Sequence, residues 1–240
     1  MNLPALSAVY EQYEILSQLR DGRFSGSLAG KLLLRSGLDE NGVAVLVAAG
    51  IAGACSLCVE PDAETLREAL RAGLCDFVVG PLDEALRILK NELRRGRAVS
   101  VGLASAWDSA LAEIIDRGLQ PDLVSSMPNE TSGIFVERGA VLLPAHDASE
   151  PGTALIEWTL SAGVVRSMAK IGRIAAENLD AQRPDTPRRQ RWLESAPRHL
   201  GRAFAARHCV RMTPAEWAAF AAAARAQFPA VRLTRDGAEL

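Results

Sequence analysis

The chain has 240 residues, of which 48% are hydrophobic and 23% charged, enough core for one large domain or for one domain with an appendage. Its formal net charge of −2 argues against the broad positive field of a nucleic-acid-binding protein. The sequence shows no apolar run that is long and uncharged enough to span a membrane, and no basic segment that would begin a signal peptide. These features predict a cytoplasmic protein without a nucleic-acid or membrane partner.

The first segment of the chain, from Leu3 to Arg20, carries apolar residues at roughly helical spacing. It predicts an amphipathic helix within residues 1–22 that packs on a sheet or on a second subunit. A second apolar stripe is expected on a helix over Pro151–Ala181. Because a sheet of this size has limited room for both stripes, we predict a homodimer that uses at least one of them.

The stretch from Lys31 to Glu60 has the order strand, turn, helix, strand and acid. The leucine run of Lys31–Arg35 is short enough for a buried strand, and Cys55–Val59 is a second one. The apolar residues between them predict a helix that Asn41 can cap. We therefore predict the first βαβ unit of a dinucleotide-type fold, with Glu60 where such folds place a ribose-binding carboxylate.

The predicted turn has the sequence GLDENG, with Gly37 and Gly42 at its two ends. Glycines let the backbone approach a pyrophosphate, so Gly37, Asn41 and Gly42 are candidate cofactor-binding residues. Asp39 and Glu40 place two negative charges where a diphosphate would lie, which opposes anion binding. Two interpretations stay open: the carboxylates serve the helix N-terminus as dipole partners, or the turn is a nucleotide site.

Strands and helices continue to alternate up to Ser125. This order predicts an α/β fold, a Rossmann-like doubly wound parallel sheet over residues 23–145. Ligands bind at the carboxyl ends of such strands, an edge that we call the rim, and Ser105 and Trp107 lie there. Trp107 is the best aromatic candidate for stacking on a ligand ring, with core packing as the alternative. Further predicted elements are helices Pro61–Ala72, Leu82–Arg95 and Trp107–Arg117 and strands Leu74–Val79, Ala98–Leu103 and Asp122–Ser125.

The alternation stops after Ser125, and residues 146–240 are predicted to form a mostly helical C-terminal region. Thr213 and Glu216 have the spacing of a capping box, with proline at the first helical position. The expected elements are a hairpin of Ile134–Val136 and Ala140–Leu143, a long helix over Pro151–Ala181, a solvated basic linker over Arg183–Arg191, a helix over 214–227 and a short strand over Val231–Thr234.

Cysteine and histidine supply no clear metal or redox motif. Cys55 and Cys58 have C-x-x-C spacing, but in one predicted strand their side chains would point to opposite faces of the sheet. His146, His199 and His208 show no metal-ligand spacing on one element. We therefore predict two core cysteines, structural or surface histidines and no metal site.

Four segments within about residues 25 to 125 resemble the NAD-binding domain of the urocanase (urocanate hydratase) family. Their order and spacing agree with that family, and GSLAG together with RG-x-x-PD-x-V is fairly specific. The segments are SGSLAGKLLLRSGLDENGVAV, GACSLCVE, PLDEALRILKNELRRGRAVSVGL and DRGLQPDLV.

The resemblance implies NAD⁺ as the cofactor. In that family, tightly bound NAD⁺ acts as an electrophile toward the imidazole of urocanate, and water adds across the conjugated system. Gly37 and Gly42 match the family's glycine turn, and Glu60 matches its ribose-binding acid.

Other positions depart from the family pattern. The family's middle glycines are Asp39 and Glu40 here, its cofactor-contacting arginine is Thr65, and its reactive-site cysteine lies in a region that this chain does not contain. Its Gly-Asn-Ala and Gln-Thr-Ser-Ala-His segments correspond to Ser105-Ala106-Trp107 and Met127-Pro128-Asn129-Glu130-Thr131, the second without histidine. NAD⁺ binding is therefore expected to be weak or lost, although Glu60 could still bind a small molecule or nucleoside.

Three functions remain open for such a chain. The first is a urocanase-like small-ligand-binding protein without hydratase chemistry, and the second is a structural or partner-binding dimeric subunit. The third, and the least favoured, is a divergent lyase-type enzyme that still uses a dinucleotide. A cavity lined by Glu60, Ser105 and Trp107 would favour ligand binding, whereas a filled rim would favour the subunit.

Overall fold

The structure is a computed structural model that describes residues 3–125, 129–144, 152–160, 165–204 and 206–239, with the backbone alone at 129–131, 165, 166 and 239. The helices are α1 (Leu6–Arg23), α2 (Glu40–Ala52), α3 (Ala63–Ala72), α4 (Leu82–Arg95), α5 (Trp107–Asp116), α6 (Asn129–Glu137), α7 (Val165–Glu177), α8 (Thr186–His199) and α9 (Pro214–Gln227). The strands are β1 (Leu32–Ser36), β2 (Cys55–Glu60), β3 (Phe77–Val79), β4 (Ser100–Ala104), β5 (Leu123–Ser125), β6 (Val141–Leu142), β7 (Ala154–Thr159), β8 (Arg207–Met212), β9 (Arg232–Arg235) and β10 (Ala238–Glu239). None of the described helices is both long and apolar enough to cross a membrane.

Within the described residues, six strands form a parallel sheet in the order β3-β4-β2-β1-β5-β6. Helices pack on both faces, which confirms the predicted Rossmann-like α/β fold. Strand β2, which follows β1 in the chain, pairs with one edge of β1, and β5, much later in the chain, pairs with its other edge. The gap between the carboxyl ends of β1 and β5 is therefore the topological switch point, where open α/β sheets bind ligands.

Helix α2 is buried on nearly all sides. Except for Gly50, every residue from Gly42 to Ala52 is buried, and the helix contacts β1, β2 and β4 as well as α1 and α8. A helix that is apolar all round is typical of a protein interior. One hydrophobic core consequently runs from the parallel sheet through α2 into the C-terminal region.

A second hydrophobic core covers the opposite face of the parallel sheet, beneath α4 and α5. Cys55 belongs to this second core, whereas Cys58 belongs to the first. All four cysteines are free and buried. The prediction that the C-x-x-C pair is two core residues pointing to opposite faces is confirmed.

The C-terminal region contains α7, α8 and α9, in agreement with the predicted helical character, and adds an antiparallel sheet of order β10-β9-β7-β8. The single long helix predicted over Pro151–Ala181 is wrong, because Ala154–Thr159 is a strand. Burial alternates along this strand, with Ile156 and Trp158 fully buried between partly exposed neighbours. Its partners β8 and β9 lie far along the chain, so local periodicity could not reveal the pairing.

The predicted hairpin after Ser125 is also wrong. Ile134–Val136 belong to helix α6, and Val141–Leu142 form an outer strand of the parallel sheet beside β5. The Phe135 side chain is fully buried in the second core, and its carbonyl accepts the N–H of Ala140 at 2.9 Å. This bond closes the helix end where a hairpin turn was expected.

The segment predicted as a solvated linker, Arg183–Arg191, instead leads into α8 and contains a buried arginine, Arg189. Its Nη1 lies 2.8 Å from Oε2 of Glu216 and its Nη2 lies 3.0 Å from Oε1. Glu216 also accepts the N–H groups of Asp180 and Thr213 and completes the predicted capping box of α9. Burial raises the pKa of Glu216, but Arg189 and these amides outweigh it, so the pKa lies below its ordinary value.

Helix α1 packs inside the chain and contacts α2, α8 and β8. Its buried side chains include Tyr10 and Tyr13, whose rings lie 4.9 Å and 5.1 Å from that of Trp192. The first of the two apolar stripes that the sequence offered for dimerisation is therefore used within one chain, and Ile171 and Ile174 of the second stripe are likewise buried in the first core. A homodimer stays a prediction that needs another surface.

Replacing Arg189 with methionine removes the cation of the buried pair and leaves the Glu216 carboxylate with backbone donors alone. Loss of one partner of a buried ion pair costs about 3–5 kcal/mol, so the free energy of unfolding of R189M should fall by about 3 kcal/mol. R198M changes an exposed arginine of the same helix and should alter the free energy of unfolding by less than about 0.5 kcal/mol. Urea unfolding measures both, and equal losses would contradict the buried pair.

Candidate functional site

The turn between β1 and α2 lies on the rim, at the switch point of the parallel sheet. Strand β1 ends at Ser36, and Gly37 follows with a φ of +79°, a conformation that favours glycine. The N–H of Gly37 donates to the carbonyl of Val59 at 2.8 Å, which ties the turn to the end of β2. The backbone of the turn is thus held from the neighbouring strand.

Arg35 lies beneath this turn with its side chain completely buried. Its Nε donates to the Gly37 carbonyl at 3.0 Å, its Nη1 to Ser125 Oγ at 3.0 Å and its Nη2 to Asp39 Oδ1 at 2.7 Å. Because Arg35 and Ser125 are partners in the β1–β5 register, the bond between them crosses the switch point. A cation of the protein itself therefore fills the space under the turn.

Sequence reasoning missed Arg35. The residue ends a leucine-rich strand, where an arginine is usually assumed to reach solvent. The available signal was Asp39, which follows Arg35 by four residues and supplies the carboxylate that a buried guanidinium requires.

Gly42, in the first turn of α2, leaves room for the Arg35 side chain. A Cβ at this position would lie 2.7 Å from Arg35 Nε, 2.8 Å from the Gly37 carbonyl oxygen and 3.1 Å from Asp39 Oδ1. The first two distances are shorter than real Cβ contacts, so a larger residue would displace the guanidinium or the turn. The second glycine of the GLDENG sequence therefore accommodates the protein's own side chain.

Asp39, and not Asn41, caps helix α2, so the predicted cap is wrong. Oδ1 of Asp39 accepts the N–H of Gly42 at 2.7 Å, while Asn41 is an exposed residue within the first turn. The position of the cap follows from Arg35, because the same Oδ1 accepts from both groups. The interpretation of Asp39 as a partner of the helix N-terminus is confirmed, and Arg35 compensates its charge.

Glu60 ends β2, and its carboxylate joins two loops. Oε2 accepts the N–H of Leu38 at 2.8 Å, and Oε1 accepts the N–H of Asp62 at 2.9 Å. Hydrogen bonds to charged acceptors contribute about 1.5–3 kcal/mol each. The carboxylate predicted to bind a ribose is therefore already bound to the backbone of the turn and of the α3 N-terminus.

Ser105 and Trp107 follow β4 on the same rim. The N–H of Ser105 contacts the carbonyl of Glu60 at 3.3 Å. Trp107 begins α5 and packs on the second core, on the face of the sheet opposite Arg35, and its buried Nε1 has no hydrogen-bond partner among the described residues. The structure thus brings Ser105 next to Glu60 and leaves Trp107 on the other face, so these three described residues do not line one cavity as expected.

The turn in this form does not fit a dinucleotide, although Gly37, Gly42 and Glu60 do meet there. A pyrophosphate binds free N–H groups at a helix N-terminus. Here the N–H of Leu38 is bonded to Glu60, and that of Gly42 to Asp39. We call this arrangement the closed turn, since the protein's own carboxylates occupy two of its N–H donors.

The first-core cysteine of the C-x-x-C pair belongs to the same network. Sγ of Cys58 donates to the Gly37 carbonyl at 3.4 Å, and burial raises the pKa of the thiol well above its ordinary value, so it stays protonated. In the part of the chain that the structure describes, no three histidine, cysteine or acidic side chains are grouped to hold a metal ion.

The segment Met127–Thr131 and the histidine His146 were considered in the sequence analysis, and the structure describes them only in part or not at all. Met127-Pro128 and His146 lie outside the described residues, and only the backbone of Asn129–Thr131 is described, within α6.

Replacing Gly42 with alanine should destabilise the protein by about 1–3 kcal/mol, because the added Cβ overpacks the space held by Arg35. Gly172 is the matched control, since it lies inside α7 and a Cβ added there would meet open space. G172A should gain about 0.5–1 kcal/mol from helix propensity. Thermal unfolding of both variants measures the difference, and a neutral G42A would contradict the packing described for Arg35.

A match to a protein-family model agrees with the Rossmann-like fold of the parallel sheet. The chain matches the family model described as the urocanase Rossmann-like domain over residues 9–147, more than half of its length. The match begins inside α1 and includes the whole closed turn, the end of β2 and the rim after β4. The chain therefore belongs to the urocanase family.

Proposed function

We propose that this chain is a small-ligand-binding member of the urocanase family that does not hydrate urocanate. The observation that supports the proposal most is the closed turn, in which Glu60 and Asp39 hold two of the N–H groups that could meet a pyrophosphate, those of Leu38 and Gly42. Hydratase chemistry in the family depends on tightly bound NAD⁺, so a chain that holds the dinucleotide weakly or not at all would lack that route. The Rossmann-like frame then serves as a scaffold for binding.

Opening the turn for a pyrophosphate would require several bonds to break. The bonds from Leu38 to Glu60 and from Gly42 to Asp39 contribute about 1.5–3 kcal/mol each. Moving Asp39 away would also leave the buried guanidinium of Arg35 without its carboxylate, a further cost that solvent reduces because the Asp39 side chain is 69% exposed. NAD⁺ should bind weakly or not at all because these bonds would have to break, and not only because Asp39 carries a negative charge.

An uncharged ligand is the better candidate for the rim. A carboxylate offers about four lone-pair sites, so Glu60 can accept a hydroxyl in addition to the N–H groups of Leu38 and Asp62. Exposed Glu40, beside the turn, disfavours an anion. We therefore propose a nucleoside-like ligand that carries hydroxyls and no phosphate, bound beside Glu60 and Ser105.

A partner-binding subunit is the second candidate. Phe77 on the outer strand β3 is 46% exposed, and Leu142 on the opposite outer strand β6 is 49% exposed. Apolar side chains at sheet edges are typical of contact surfaces. A cytoplasmic homodimer that pairs through one of these edges would use them, since α1 does not supply a free face.

Purified protein should leave the ultraviolet absorbance band of urocanate unchanged, with or without added NAD⁺. Hydration by general acid–base chemistry needs a titratable group placed at the substrate, and the closed turn holds its carboxylates on backbone amides. Heat-denatured protein is the control for uncatalysed loss. A decrease in absorbance whose rate is proportional to protein concentration would overturn the proposal.

Calorimetry with two variants separates the effect of the exposed Glu40 charge from that of the Asp39 carboxylate, which holds a donor of the turn. Glu40→Gly removes an exposed charge and keeps the turn closed, whereas Asp39→Gly combined with Glu40→Gly also frees the N–H of Gly42. We expect weak or no NAD⁺ binding by the wild type and the single variant, and a gain in the double variant together with lower stability, because Arg35 loses its carboxylate. Submicromolar binding by the wild type would contradict the closed turn, and equal gains in both variants would assign the effect to the Glu40 charge alone.

A further inference from the structure

An open groove of about 780 Å³ runs beside β3, the outermost strand at one edge of the parallel sheet. One wall is formed by Asp76 and Phe77 at the start of β3, the other by helix α4, and residues 97–99 before β4 close the end. The groove therefore lies at the amino ends of these strands, opposite the rim. We call it the β3 groove.

The floor of the β3 groove is apolar. Phe77 is 46% exposed, and its register partner Val101 belongs to the second core beneath α4. Paired residues of neighbouring strands share a face of the sheet, so the Phe77 ring lies on the α4 side. Ile88 of α4 and the buried Val99 also line the groove. A partner can thus cover a half-exposed ring and its apolar neighbours.

The α4 wall of the groove is basic. Arg87, Asn91 and Arg94 line it and share one face of the helix, since they are four and three residues apart. Nε of Arg94 donates to the Lys90 carbonyl at 3.2 Å, and none of the ion pairs among the described residues involves Arg94. Arg87 has a 79% exposed side chain and only a distant carboxylate, that of Glu84 at 3.9 Å.

The carboxylates of the lining are already bound within the protein. Glu92 accepts Nε and Nη2 of Arg97 at 2.7 and 2.9 Å. Asp76 Oδ2 accepts the N–H and the Oγ of Ser100 at 2.8 and 2.9 Å. The lining has three arginines against two carboxylates, although the whole chain has a net charge of −2. The groove therefore presents the two α4 arginines to a negatively charged partner.

We propose that the β3 groove binds an extended acidic peptide segment of another protein. Among the described residues, β3 has no strand on its outer side, so the segment can lie along it. Main-chain hydrogen bonds to an edge strand supply affinity, and contacts of alternate side chains supply specificity. Here an apolar side chain covers Phe77 and Ile88, while two carboxylates meet Arg87 and Arg94.

The spacing of the arginines predicts the pattern of the segment. Seven helical residues separate Arg87 from Arg94, a rise of about 10 Å. Side chains on one face of an extended peptide recur every two residues, so those four residues apart are about 13 Å apart. Long arginine side chains bridge the difference. The predicted pattern is therefore acid-x-apolar-x-acid.

A second copy of this chain is less suited to this edge. Pairing of two β3 strands would bring the α4 arginines of both copies together, and like charges oppose such a contact. A homodimer would then use the edge at β6. The proposal does not depend on the closed turn or on a ligand at the rim.

Three end-blocked peptides test the groove on the ¹⁵N-labelled wild-type protein. The first is Ser-Glu-Thr-Leu-Thr-Glu-Ser, the second has glutamine in place of both glutamates, and the third has serine in place of leucine. We expect the first to shift the amides of Phe77, Val78 and Val79 saturably and the others to bind about fivefold more weakly, because they lack two exposed ion pairs or one apolar contact. Added salt should reduce only the advantage over the glutamine peptide.

Three variants locate the binding. Arg94→Glu reverses an exposed charge of the groove and should weaken the glutamate peptide about fivefold while leaving the glutamine peptide unchanged. Arg173→Glu makes the same change at an exposed position of α7 outside the groove and should affect neither peptide. Phe77→Thr removes the ring and should weaken both peptides together.

The proposal is overturned if the β3 amides stay unshifted at millimolar peptide, if the glutamate and glutamine peptides bind equally well, or if R173E acts like R94E. Sedimentation tests the other occupant of the edge. A wild-type dimer that F77T converts to a monomer would also overturn the proposal, because a second copy would then cover β3.

Discussion

The buried guanidinium of Arg35 is the constraint on which the β1–α2 region depends. A positive charge that is shielded from solvent is stable only when a carboxylate and further hydrogen-bond acceptors surround it. Asp39 supplies the carboxylate, and Gly37 and Ser125 supply the other acceptors. Asp39 must then stand at the start of α2, Gly37 must turn its carbonyl inward, and position 42 must lack a side chain. Arg35 therefore determines which residues the turn can contain. Its guanidinium occupies the place that such a turn would otherwise offer to a ligand.

Helix α2 extends this constraint to the rest of the chain. It begins at the closed turn, passes between the parallel sheet and the pair α1 and α8, and is buried over almost its whole length. Within the C-terminal region, α9 is bound to α8 through the Arg189–Glu216 pair, and β8 contacts α8 through the rings of His208 and Trp192. The dinucleotide-type turn and the C-terminal sheet are consequently parts of one packed core.

The sequence was informative where structure is decided locally. The leucine run of β1, the acid at the end of β2 and the capping box of α9 each depend on neighbours within a few residues, and the structure agrees with them. The opposite faces of Cys55 and Cys58 follow from strand geometry alone. Family motifs added the frame of the Rossmann-like domain.

Long-range partners were not accessible in the same way. Strand β7 contains apolar residues at spacings that suit a helix as well as a strand, and only its pairing with β8 and β9 decides between them. The basic, proline-rich start of α8 resembles a solvated linker until Glu216, far along the chain, is seen to bind Arg189. The role of Arg35 likewise depends on Ser125, on another strand. Composition cannot show which charged residue has a buried partner.

The most direct measurement of the closed turn is an NMR titration of the wild-type protein with NAD⁺, observing the amides of Leu38 and Gly42 and the Nε–H of Arg35. Our account predicts a slowly exchanging Arg35 Nε–H, bonded to the Gly37 carbonyl, and no saturable shift of the three signals up to millimolar NAD⁺. Shifts of the Leu38 and Gly42 amides that saturate at micromolar NAD⁺ would contradict the account, since they would show that the turn opens and accepts the dinucleotide.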